Sequence, residues 1–189
     1  RDGEELLNNT HDAENLPDWL RLSWQHYWDA AATNTIAGLA MLPPPLDISV
    51  TKDAAAWAEK LDGQVLDGYT IRRKFDGDPT QLPGFADGAW WVQDAAAAVP
   101  ARLLGKLDGK QVIDLCAAPG GKTAQLIATG ANVTAIDNNR KRLDRLRRNL
   151  KRLNMPAKLV LSDGRRFVPD ASVDAILIDA PCSATGTIR

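Results

Sequence analysis

The order of apolar and polar positions divides the chain into two regimes. From about residue 111 the pattern is regular. QVIDLC, NVTAID, AKLVLS and VDAILID are short apolar runs that read as strands. Between them, GKTAQLIATG reads as a short helix closed by Gly130, and NRKRLDRLRRNLKRLN as a longer one. In the longer helix Leu143, Leu146, Leu150 and Leu153 recur at helical spacing. Strands alternating with helices predict an α/β fold with a mostly parallel, doubly wound sheet. Before residue 111 the pattern is mixed. Residues 1–14 are a polar, acidic lead-in. Pro17 to Met41 reads helical, with Trp19, Leu20, Trp24, Tyr27 and Trp28 at three- and four-residue steps. These aromatics are expected to pack a helix pair onto the main body, a base-stacking surface being the alternative. LPPPLDISV breaks that helix and leads into an extended run. DAAAWAEKL reads as a helix, YTIRRK as a strand and LPGFADGAW as a loop. VQDAAAAVPARLLG reads as helical, with Pro100 marking an interruption or a new first turn. A boundary falls near residue 80, dividing a helical and mixed N-terminal flank (1–80) from an α/β domain (81–189).

Composition adds little to this, and charge adds more. The 189 residues suffice for one domain with a sizeable core and a helical appendage. Net charge is −1, yet residues 111–189 hold 13 Lys and Arg against 7 Asp and Glu. The segment Arg140 to Arg152 alone has eight basic residues and one acid, Asp144. With its leucines toward the sheet, its basic residues are expected to face out, near Arg165 and Arg166, which suits a polyanionic partner such as RNA. No apolar run is long enough to span a membrane. Cys116 and Cys182 suggest neither a disulfide framework nor a metal site, and a reducing cytoplasm is the simplest compartment.

The candidate chemistry starts at CAAPGGKT, Cys116 to Thr123. It ends like a phosphate-binding P-loop, but Cys116 stands where that pattern needs glycine. Four strands finish at or near an aspartate: Asp114, Asp137, Asp163 and Asp179. In a doubly wound sheet this edge holds the ligand. Four carboxylates repel a triphosphate. They suit a cofactor with ribose hydroxyls, an amino group and a positive centre, and S-adenosylmethionine has all three. Asp137 is placed for the ribose and Asp163 for the adenine amino group. Gly120 and Gly121 let the backbone approach at a helix start, and Lys122 adds a charge. A second motif, DAPCSATG, sets Cys182 just after Pro181 and Asp179.

Together DLCAAPGGKT and DAPCSATG, with an Asp-ended strand between them, resemble the Sun (Fmu) family of RNA cytosine-5 methyltransferases, and most closely its bacterial 16S ribosomal RNA enzymes. The likeness runs from about Gln111 to Arg189. It continues more weakly upstream through LPGFADGAWWVQDAAA and LPDWL. The resemblance implies a Rossmann-like class I methyltransferase fold and S-adenosylmethionine as cofactor. It implies methylation of cytosine carbon 5 in RNA. Cys116, Ala117, Ala118, Pro119, Gly120, Gly121 and Lys122 would line the cofactor site with Asp137, Arg142, Asp163 and Asp179. Asp179 would lie between cofactor and base, and Cys182 would assist release of product. The family's nucleophile lies in a later Thr-Cys-Ser motif that these residues do not include. Further strands carrying that second cysteine are therefore expected beyond Arg189, and the present segment is expected to bind cofactor without turning over. Two alternatives stay open: a DNA cytosine-5 methyltransferase with Cys182 as nucleophile, and a module that binds cofactor or RNA without catalysis.

Overall fold

A computed structural model describes residues 12–75 and 77–182. The described residues form two compact units, one ending at Pro44 and one running from Pro45 to Pro181. The first holds a short 3-10 turn (Asp12–Asn15), helix α1 (Asp18–Tyr27) and helix α2 (Ala30–Met41). The helical stretch read from Pro17 to Met41 is therefore a pair of helices. The break falls at Asp29, whose carboxylate accepts from the Ala32 amide at 2.7 Å and caps a new helix. The small core of this unit is Ala13, Leu16, Leu20 and Ala37. Most of the aromatics stand outside this small core. Trp19, Tyr27 and Trp28 are 62%, 76% and 58% exposed, and only Trp24 leans on the core.

The second unit contains two sheets. The antiparallel one has strand order β2-β3-β1-β4, built from β1 (Leu46–Val50), β2 (Gln64–Val65), β3 (Thr70–Arg73) and β4 (Trp90–Val92). Helix α3 (Ala54–Lys60) follows β1 and helix α4 (Ala95–Arg102) follows β4. Helix α4 runs through Pro100 without the expected interruption. Its start is fixed by Asp94, which accepts from the Ala96 and Ala97 amides. The extended run, helix and strand read between residues 45 and 74 are all present. Strands β2 and β4 are additions, two and three residues long, too short for a period to register.

The parallel sheet has strand order β7-β6-β5-β8, with β5 (Gln111–Leu115), β6 (Asn132–Asp137), β7 (Lys158–Leu161) and β8 (Ala175–Ile178). Helix α5 (Gly121–Ala128) connects β5 to β6, and helix α6 (Arg140–Arg152) connects β6 to β7. This is the mostly parallel Rossmann-like order, with its switch between β5 and β8. Strand β8, read as an apolar run, is an outer strand among the described residues. Leu177 is buried, but Ile176 and Ile178 are 48% and 66% exposed.

Adjacent tryptophans in β4 join the cores of the two sheets. Successive strand residues point to opposite faces. Trp90 packs with Ile48, Val50, Leu61 and Ile71, while Trp91 packs with Leu143, Leu146 and Leu150 of α6. The sequence boundary near residue 80 falls between β3 and β4 of one hydrogen-bonded sheet.

Candidate functional site

The loop after β5 is shaped by two left-handed positions and one close approach. Cys116 has φ 61° and Gly120 φ 107°. A Cβ on Gly120 would lie 2.2 Å from Leu146 Cδ1, so only glycine lets the loop settle on α6. The Ala117 amide donates to the Ile136 carbonyl at 3.0 Å. The Ala118 amide donates to Asp137 Oδ2 at 3.3 Å. Helix α5 begins at once at Gly121. Thr123 is fully buried, and its hydroxyl donates to Asp114 Oδ2 at 2.6 Å. In a P-loop that hydroxyl must reach a metal ion beside the phosphates. Here it is committed to the sheet, which argues against a nucleoside triphosphate at this loop.

The four strand-end aspartates sit in four different environments. Asp114 is buried, and burial pushes its carboxyl up to about 6, opposed by the Thr123 hydrogen bond. Asp137 is also buried. Its oxygens accept from the Asn139 amide at 3.0 Å and from Ala118, and Arg142 approaches Oδ2 at 3.3 Å. Asp163 is clasped by its neighbour: Arg165 Nη2 lies 2.6 Å from Oδ2 and Nε 3.1 Å from Oδ1. These hydrogen bonds hold the Asp163 carboxyl down at about 2. Asp179 accepts from Lys122 Nζ at 2.7 Å.

Two cavities open at this edge, and Cys116 lines both. The one of about 180 Å³ lies at the switch between β5 and β8. Its walls include Asp114, Ala117, Ala118, Pro119, Gly121, Lys122 and Asp179. The one of about 480 Å³ lies beyond β6 and β7 and includes Asp137 and Asp163. Most of the residues singled out from the sequence therefore fall on these two walls.

Three do not. Gly120 acts through its fit against Leu146. Arg142 lines neither cavity. It donates to the Ala118 carbonyl at 2.8 Å and so ties α6 to the loop. Cys182 is an exposed free cysteine grouped with the first compact unit, and Ser183 to Gly186 of its motif lie outside the described residues. For Cys116, burial, with Asp137 adding to it, pushes the thiol above its ordinary range.

The structure also contributes wall residues that the motifs did not name. Val92, Gln93, Asp94 and Ala97 reach the smaller cavity from β4 and α4. Asn138, Ser162 and Arg165 line the larger one. The first group stands in WWVQDAAA, and its only signal was the weak upstream part of the family resemblance. Gln93 is buried and central: it accepts from Ser49 and from the Trp91 indole, and it donates to Gln125 at 2.9 Å. Of the eight basic residues expected to face out from α6, seven are exposed and Arg152 is half-buried, and two are tied to backbone carbonyls. They are Arg142 and Arg152, and Arg152 donates to the Phe85 and Trp90 carbonyls at 2.6 and 3.0 Å.

Comparison with known proteins agrees with this geometry. Residues 101–189 match the family model described as 16S rRNA methyltransferase RsmB/F. The ribosomal RNA small subunit methyltransferase B of Shigella sonnei is 37% identical over 206 aligned positions, which cover all of this chain and 48% of that protein. Its namesake from Serratia proteamaculans is 50% identical over 115 residues, 58% of this chain and 27% of that one. The chain spans about half the length of Shigella-type relatives that it matches end to end. A methyltransferase homolog protein from Pyrococcus horikoshii superposes with a TM-score of 0.74 at 25% identity, covering 92% of this chain and 62% of that one. The resemblance to the Sun (Fmu) family read from the two motifs holds, and the fold is the Rossmann-like α/β fold of such methyltransferases.

Proposed function

We propose that this chain is the cofactor-binding part of an S-adenosylmethionine-dependent RNA cytosine-5 methyltransferase acting on ribosomal RNA in the cytoplasm, with residues 81–189 forming the methyltransferase domain. The observation that carries the proposal is the pair of cavities meeting at Cys116. One presents the carboxylates of Asp137 and Asp163, and the other presents the Lys122–Asp179 pair.

The donor set fits the cofactor. Asp137 keeps lone pairs beyond those used by its backbone partners and accepts from ribose hydroxyls. Asp163 and Ser162 take the adenine side. The loop from Cys116 to Gly121 and Lys122 take the methionine end at the start of α5. When bound, S-adenosylmethionine supplies an electrophilic methyl group on a sulfonium. Arg142 is a positioning residue that holds the loop through Ala118. Asp179, which accepts from Lys122 Nζ at 2.7 Å, is the group that meets ring nitrogen 3 of a cytosine in the smaller cavity and stabilises the adduct there. The base must leave its stack to reach it. Attack at carbon 6 needs a thiolate. The raised Cys116 thiol is poorly suited to that task. The resemblance assigns the nucleophile to another cysteine and gives Cys182 the release of product.

Calorimetric titration with S-adenosylmethionine and with ATP tests this. The chain should bind the first and not the second, and the reverse order would sink the proposal. Incubated with both substrates, this chain alone should transfer no methyl group. Detectable 5-methylcytosine would instead make Cys182 the nucleophile.

A further inference from the structure

The basic side chains of α6 can be sorted by what they already hold. Arg142 is bound to the loop carbonyl of Ala118, and Arg152 is bound to Phe85 and Trp90 with its guanidinium 4.0 Å over the Phe85 ring. Arg147 pairs with Asp144. Arg145 and Arg148 are exposed and, among the described residues, have neither a hydrogen bond nor an ion pair. They stand one helical turn apart, with about 5–6 Å between the Cβ atoms of such a pair. Both line a groove of about 670 Å³ whose other wall includes Phe85, Val92 and Pro119. Val92 and Pro119 also line the smaller cavity, so the groove shares a wall with the cavity that holds Lys122 and Asp179. Its one acid, Asp78, turns its carboxylate to the Thr80 amide at 2.9 Å.

We infer that this groove carries the single-stranded RNA segment adjoining the target base, with phosphates on Arg145 and Arg148 and bases against Val92 and Pro119. The inference rests on the proposed function and adds a path to it. A strand needs cations for its phosphates and apolar surface for its base faces, side by side. Here both occur on one groove that adjoins the reaction cavity. Val92 is 47% exposed where groove and cavity share a wall, and it offers apolar surface there. The opposite face of α6, where Arg147 already holds Asp144, offers no such wall.

The test uses the 189-residue chain and an unstructured, cytidine-containing RNA oligonucleotide, with fluorescence anisotropy read across a potassium chloride series. Arg145→Gln with Arg148→Gln should weaken binding at least tenfold at low salt. It should reduce the slope of log affinity against log salt by about 1.4, the value for two phosphate contacts on a single strand. Arg147→Gln with Lys151→Gln removes the same charge from the opposite face of the same helix, outside the groove, and should do neither. Calorimetric affinity for S-adenosylmethionine should be unchanged in both. Equal losses in the two double variants would reduce the effect to net charge and overturn the groove. So would equal affinity for duplex RNA, or displacement of the oligonucleotide by polyglutamate at equal charge. If the parent chain binds RNA and the Arg145/Arg148 variant binds it equally well, the groove fails and the proposed function stands. If the parent chain binds S-adenosylmethionine but no RNA, the RNA part of the proposed function fails and the groove with it.

Discussion

The carboxyl ends of β5 and β7 begin from the same sequence device, an apolar strand with an aspartate at its end, and finish as opposites. At β5 the chain is covered. Asp114 is buried beneath the loop and Thr123, Gly120 is pressed on Leu146, and the Asp114 carboxyl rises to about 6. At β7 the chain is open. Asp163 is clasped by Arg165, its carboxyl falls to about 2, and Gly164 meets only Leu115. What separates the two is the element that lands on top. Helix α6 and the start of α5 close the first end, whereas a short turn follows the third strand. The covered end therefore holds the loop in shape, and the open end can receive a ligand.

The largest test of this contrast exchanges the two glycines. Gly120→Ala adds a Cβ 2.2 Å from Leu146 Cδ1 at φ 107°. Left-handed strain and overpacking together should cost about 2–4 kcal/mol in urea unfolding. Gly164→Ala, whose Cβ would be 3.2 Å from a side-chain atom of Leu115 with no positive φ, should stay within about 1 kcal/mol. Similar costs at the two sites would erase the contrast.

The next test is electrostatic. The Asp114 carboxyl titrates near 6 when folded and near about 4 when unfolded, so the native state binds more protons between those values. Its contribution to stability is complete below about pH 4 and is lost as pH rises through 6. Asp114→Asn does not titrate. The difference in unfolding free energy between parent and variant should therefore move against the parent by roughly 2–3 kcal/mol from pH 4 to 7 and be flat above. A difference that stays constant over that range would show that Asp114 is not held in a desolvated site.

Between the two ends lies Asp137, buried like Asp114 yet on the wall of the larger cavity. Asp137→Asn should weaken S-adenosylmethionine binding by about 1.5–3 kcal/mol, the scale of a charged hydrogen bond, as read by calorimetry. Unchanged affinity would remove Asp137 from the cofactor site. The smallest effect is expected at the open end. Asp163→Asn should leave the unfolding midpoint where it was, because an ion pair to the exposed Arg165 contributes little. Its loss of cofactor affinity should be smaller than that of Asp137→Asn. A clear drop in melting temperature would mean that the β7 end is structurally closed after all.

Much of this site was legible because the loop, the strand-end aspartates and the leucine spacing of α6 are local patterns. Residues a few positions apart determine them. The place of the break, at Asp29, was not legible because no proline or glycine marks it between Asp18 and Ala37. Strand β4 was missed because WWV is three residues long. Its role is to face two cores at once, which no run of three can display. On α6 the outward direction of the charge was right, but two of the arginines also hold neighbouring segments. Arg142 and Arg152 are spent on carbonyls from the loop after β5 and from the segment before β4.

The sequence by itself determined the order of the elements of the parallel sheet, the loop that precedes α5 and the edge on which the aspartates collect. Period and turn chemistry act along the chain, and a few neighbouring residues suffice to express them. Only the tertiary structure decided which aspartate is buried, which arginines are free and where the two cavities meet. Those properties depend on what is stacked against each side chain, since burial sets the desolvation of a charge and distant segments supply its partners. Asp114 and Asp163 are the same residue at the same kind of strand end, and the helix that covers one and not the other makes them different acids.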